Sequence, residues 1–156
     1  MRRRTCAGAR QRGMTLIELL IALVIVGILT AVALPLYTRY QERSYAAQAM
    51  ADLGVCAQAL ERFYTTGFTY AAAAAAGADT GAPTVCPATS PPRGNTLFDI
   101  TITAADATTF TLRATPVAGG QADPVGLLEI DATGLRRWDK NDDGDFGDAD
   151  EDNWDI

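Results

Sequence analysis

From Leu16 to Leu34 the chain is apolar at nearly every position, interrupted only by Glu18, Gly27 and Thr30. About 20 such residues make a helix of roughly 30 Å, the thickness of a bilayer's hydrocarbon core. Pro35 follows directly, and between Gly27 and Pro35 a helix is weakened without necessarily breaking. Past Pro35 the pattern changes. Tyr37, Tyr40, Tyr45, Ala49, Leu53, Cys56, Leu60, Phe63 and Tyr64 follow a helical period, with Arg39, Arg43, Gln48, Asp52, Gln58 and Arg62 between them. This spacing predicts an amphipathic helix reaching about Thr66 and stopping near Gly67. Ala71 to Ala76 is an alanine run between turn residues, either a helical turn or a loose loop, and residues 82–95 (APTVCPATSPPRGN) read as a loop.

Strand-like alternation comes after that loop. Phe98, Ile100 and Ile102 share one face of the run Leu97 to Thr103, and Phe110 and Leu112 share one face of Thr108 to Thr115. Residues 104–107 are few enough for a hairpin turn. Gly126 to Asp131 holds Leu128 and Ile130, and Leu135 to Trp138 continues past a turn at Thr133-Gly134. The predicted class is α+β: one long N-terminal helix on a small antiparallel sheet of three or four strands. One face of such a sheet needs cover, and the amphipathic part of the helix is the available partner.

Charge divides the chain further. The formal net charge is -6, but Arg2, Arg3, Arg4, Arg10 and Arg12 all precede Met14, so the remainder holds eight of the 13 cations against all 19 acids. A body that acidic repels phosphate backbones, so nucleic acid is not an expected partner. There is no His, and neither G-x-S-x-G nor a phosphate-binding loop occurs, which argues against an enzyme. The basic stretch before the apolar run stays cytoplasmic by the positive-inside rule, which puts everything after the run across the membrane. Exported, Cys56 and Cys86 are expected to pair, the alternative being two buried thiols; Cys6 lies in the basic segment.

Three features coincide at Gly13-Met14-Thr15-Leu16-Ile17-Glu18: a basic leader ending in Gly, an apolar stretch starting at once, and a lone carboxylate five residues in. A secretory signal is cut after its apolar stretch, not before it. Ala31-Val32-Ala33 does offer such a site, whose use would release a soluble domain starting at Leu34. A bare carboxylate in hydrocarbon costs about 2.5–3.5 kcal/mol on insertion scales, so Glu18 should have a use. This segment resembles the signal of type IV prepilins and pseudopilins, and the likeness extends from Arg10 to about Tyr40 with Pro35 in place. The resemblance implies the pilin fold, with residues 1–13 a leader peptide, 14–35 the membrane-spanning and later filament-core half of the helix, and 36–156 a periplasmic head. It implies cleavage by prepilin peptidase between Gly13 and Met14 and N-methylation of Met14, where Phe is usual. It further implies inner-membrane assembly machinery, other pilin subunits as partners and a final place in an extracellular pilus. Glu18 would meet the ammonium of Met14 on a neighbouring subunit, neutralising two charges that are costly apart; the alternative is a Glu that snorkels to the membrane interface or is protonated. The Cys56 and Cys86 pair ahead of the strands looks like minor pilins of the PilE type. A pseudopilin of a type II secretion system and a soluble secreted calcium-binding module stay open as alternatives.

Residues 139–155 (DKNDDGDFGDADEDNWD) hold nine acids. Asp139, Asn141 and Asp143 followed by Gly144 match the opening of a calcium loop, with oxygen ligands at positions one, three and five and a glycine turn at six. Position seven is Asp145, through its backbone carbonyl, and position twelve is Asp150. Glu is standard at twelve; Asp there is similar to dockerin-type loops, and Glu151 stands one place late. The alternative is a solvated acidic tail. Trp138 and Trp154 flank the segment and are expected to anchor it by packing.

Overall fold

The computed structural model describes residues 14–155. The leader, including Cys6 and Gly13, lies outside the described residues. The chain divides into two compact units, Met1–Thr38 and Arg39–Ile156. Helix α1, Leu16–Gly67, is 52 residues long and is uninterrupted at Pro35. Pro35 has no amide to donate to the previous turn, but one missing bond is a local loss in a helix this long. Thr30 and Thr38 turn their hydroxyls back onto the carbonyls of Val26 (2.7 Å) and Pro35 (3.0 Å). In the first unit every described residue is exposed, including all the large aliphatics from Leu16 to Leu34.

In the second unit, the later part of α1 buries Ala46, Ala49, Met50, Leu53, Cys56, Ala59 and Leu60. This is the predicted stripe, shifted toward small residues, which lets the helix approach closely. All of these but Ala59 join one core with Phe98, Ile100, Ile102, Phe110, Leu112, Leu128 and Ile130. The helix ends at Gly67 as expected, but the left-handed residue that terminates it is Phe68 (φ 52°), whose amide donates to Tyr64 O at 2.7 Å.

The sheet has five antiparallel strands in sequential order: β1 Thr89–Ser90, β2 Phe98–Ala105, β3 Phe110–Pro116, β4 Leu128–Asp131 and β5 Arg136–Trp138. Four coincide with the alternating runs. The additional one, β1, comes from the Pro-rich stretch read as a loop; it is two residues long and pairs through Thr89↔Asp99 and Ser90↔Phe98. Ser90 Oγ also donates to Asp52 Oδ2 of α1 at 2.6 Å, fastening this edge to the helix. Cys56 and Cys86 are joined in a disulfide, which ties the same loop to α1. Closing a loop of this length stabilises a domain by about 3–4 kcal/mol in the chain-entropy picture.

The turns are held by acids. Asp106 Oδ1 accepts from the amides of Thr108 (2.6 Å) and Thr109 (2.8 Å), which holds its carboxyl below the ordinary value. Burial alone would raise the Asp131 carboxyl; donation from Thr133 and Leu135 and the nearby Arg137 outweigh it and lower it. Under the sheet, Tyr70 stacks on Tyr64 (4.6 Å between centroids) and meets Phe110 edge-on. Burial first, then its bond to Glu61 Oε1 (3.0 Å), pushes the Tyr70 phenol up to about 12.

At the entry to β4, Gly126 adopts φ 79°, and a Cβ there would run into the Asp139 backbone carbonyl. The same junction carries the bond from Asp139 N to Leu127 O at 2.9 Å. Left-handed strain and overpacking add at this position. Gly126→Ala is therefore expected to destabilise the protein by about 2–4 kcal/mol, measured by denaturant melting of the full chain in detergent, whereas Gly94→Ala, with open space around its Cβ, costs less.

Candidate functional site: the head of α1 and the acidic loop

Two places concentrate chemistry. At the start of α1, Thr15 N–H donates to Glu18 Oε2 (3.5 Å) and Glu18 N–H donates to Thr15 Oγ1 (3.4 Å). This reciprocal pair is a capping box, which satisfies two otherwise orphaned helix amides. Both bonds are long, so Glu18 is weakly engaged and remains exposed. The carboxylate also sits at the positive end of the helix dipole, where a negative charge is favoured.

The second place is the loop after β5. Asp139 follows Trp138 and is wholly buried. Its Oδ1 accepts from Asp143 N (3.2 Å) and its Oδ2 from Gly144 N (3.0 Å), curling the chain around the carboxylate. Asp142 (φ 57°) and Gly144 (φ 91°) take the left-handed conformations that this curl needs. Asn141 Oδ1 also accepts from Asp143 N, Asp143 Oδ1 from Asp145 N and Asp145 Oδ1 from Gly147 N. Asp139, Asp143 and Glu151 each present a carboxylate oxygen, and these atoms lie within 4.8 Å of one another. An all-oxygen group of hard anionic donors suits calcium or magnesium rather than a softer metal.

The loop is fastened by aromatic and basic residues. Glu129, on the face of β4 away from the core, is bridged by Arg113 (2.8 Å) and Arg137 (3.0 Å) from the flanking strands. Phe146 lies against both guanidinium groups, at 5.6 and 5.9 Å. Trp154 packs under Arg136 (5.1 Å) and donates its indole N–H to Arg137 O at 3.0 Å. Trp138 donates to Val125 O at 2.8 Å, and Trp138 N–H donates to Glu151 O at the same distance.

Comparison with known proteins identifies the scaffold. The model of the prokaryotic N-terminal methylation motif matches residues 8–34. The model of a family described as type IV minor pilin ComP, DNA uptake sequence receptor, matches residues 35–125, more than half of the chain. The chain belongs to the type IV pilin family. The type IV major fimbrial protein FimA of Dichelobacter nodosus is 45% identical over 51 residues, 33% of each chain. The type IV major pilin protein PilA of Myxococcus xanthus (strain DK1622) is 41% identical over 56 residues, 36% of this pilin and 26% of that one. The pilin thus spans about a third or less of the length of these curated relatives. The crystal structure of the Neisseria meningitidis non-core minor pilin PilV aligns over 62% of this pilin and 85% of that chain, with 18% identity and a TM-score of 0.46.

The residues singled out from sequence fall as follows in the pilin. Met14 and Glu18 are exposed at the head of α1, and Gly27 and Pro35 are inside it. Cys56 and Cys86 are bonded. Asp139 and Asp143 come together, while Asp145 and Asp150 lie exposed and outside their group. Asn141 stays beside it, donating to Asp143 Oδ2 (2.9 Å) and Asp148 Oδ2 (2.8 Å). Glu151, one position after Asp150, is the third member of that group. Thr15 had a readable signal, a Thr three residues before Glu at the mouth of an apolar run. Phe146 had none, since its partners are on distant strands.

Proposed function

We propose that this pilin is a structural subunit of a type IV pilus, held in the inner membrane with its Arg-rich leader in the cytoplasm until prepilin peptidase cuts after Gly13 and methylates Met14. The observation that carries the reading is the fully exposed apolar half of α1 with its single acid. A stretch with a mean hydropathy of 2.9 in its most apolar window is not stable against water. Lipid covers it first; in the filament, the same half of neighbouring helices does. Glu18, only loosely capped by Thr15, then exchanges that contact for the Met14 amine of an adjacent subunit, so the charge enters a low-dielectric core already neutralised. A pseudopilin would use the same steps. The pilus is preferred because the curated relatives are pilus and fimbrial proteins.

DNA reception, named in the description of the matched family, is not part of this reading. Arg113 and Arg137 are engaged by Glu129, and Arg39, Arg43 and Lys140 line a cavity together with Glu42 and Asp155. After residue 13, eight cations stand against 19 acids, a balance that repels phosphates. The acidic loop we assign instead to a calcium ion, with Asp139, Asn141 and Asp143 as side-chain ligands and the carbonyl of Asp145 beside them. The crowding of carboxylates around Asp139 supports a cation there, since like charges this close raise one another's energy.

Intact mass tests the processing steps. The exported protein is expected to lack residues 1–13 and to carry one added methyl, and to retain its leader in a strain without prepilin peptidase. Loss of everything through Ala33 would instead make it a soluble secreted domain. For DNA, the mature protein extracted in detergent is expected to bind duplexes no more tightly than ~10⁻⁴ M at physiological salt. Sequence-selective binding at micromolar concentration would return the receptor role to this chain.

A further inference from the structure

Glu151 is 2% exposed, and its two carboxylate oxygens are treated differently. Oε2 accepts from Asp148 N at 3.2 Å. Oε1 is buried without a hydrogen-bond partner, alone among the buried side-chain polar atoms of the described residues. Burying an unpaired carboxylate oxygen costs several kcal/mol, and doing so beside Asp139 and Asp143 adds repulsion in a medium that screens poorly. Both problems have one solution, a cation at the point where the three carboxylates converge.

We propose that Glu151, not Asp150, closes the calcium site, making it a loop of thirteen residues with its first and last ligands buried. This rests on the calcium reading above and deepens it. The twelve-residue count belongs to loops flanked by helices. Here the loop is entered from β5 and closed by a turn in which Glu151 N donates to Asp148 O at 3.3 Å. The Trp138 amide holds the Glu151 carbonyl at 2.8 Å, which fixes the residue beside the loop's first ligand, Asp139. Asp150 is exposed and lies outside the converging group. The ion then ties the end of the loop to its beginning, and Phe146, carried between them, is held on Arg113 and Arg137.

The test compares calcium binding by full-length protein in detergent for wild type, Glu151→Gln and Asp150→Asn, together with melting in chelator. Glu151→Gln is expected to weaken calcium about a hundredfold and Asp150→Asn less than about threefold. In chelator, Glu151→Gln is expected to melt higher than wild type, because it removes the unpaired buried charge; a residue that merely packs would not give that opposite pair of effects. Weakening by Asp150→Asn with Glu151→Gln unaffected would overturn the assignment and leave the calcium reading standing. A Glu151→Gln protein that melts lower than wild type in chelator would overturn the assignment as well. Absence of calcium binding to wild type would overturn both.

Discussion

In α1 every residue from Leu16 to Thr38 is exposed, yet this is the most apolar part of the chain. Water is a poor neighbour for it, and on our reading hydrocarbon covers it before assembly and other helices after it. Glu18 sharpens the requirement. A bare carboxylate is costly in such surroundings, a counter-charge removes that cost, and Thr15 provides no more than two long hydrogen bonds. On our reading, membrane residence, assembly and register all follow from this one mismatch between a helix and its surroundings. The second unit obeys ordinary globular rules, with a helix stripe of small residues on a sheet, a disulfide and acid-capped turns.

The acidic loop presents the opposite problem. Nine acids in residues 139–155 should repel one another and leave the surface. They are held instead by the bases and aromatics of the sheet's outer face, through Phe146 on Arg113 and Arg137 and Trp154 under Arg136. Glu129 is the counterweight that keeps the two arginines side by side. The folded loop then places two buried acids, Asp139 and Glu151, close to a third. On our reading, a cation supplies the charge that the polypeptide leaves unbalanced there.

The parts of the fold that were legible in the sequence are those written in periodicity. The run from Leu16 to Leu34 has the length of a bilayer, and Phe98, Ile100 and Ile102 alternate as a half-buried strand must. Strand β1 was not legible, because two residues bound by backbone pairing leave no pattern, and prolines surround them. The end of α1 falls near the expected place, but its left-handed stop is Phe68 rather than a glycine, with its ring largely exposed and edge-on to Tyr64. In the acidic loop, ligand spacing pointed to Asp139 and Asp143, which do converge, and to Asp150, which does not. That last step depends on a turn at Asp148–Glu151 that a count of positions cannot contain.

The most direct measurement of the central claim is the filament content of a strain whose only copy of this pilin carries Glu18→Gln. The amide keeps the shape of the side chain and removes its charge. The account predicts subunits that are processed and accumulate in the membrane but are missing from sheared filaments. Filaments containing the variant at the wild-type level would contradict it, because assembly would then owe nothing to the buried charge.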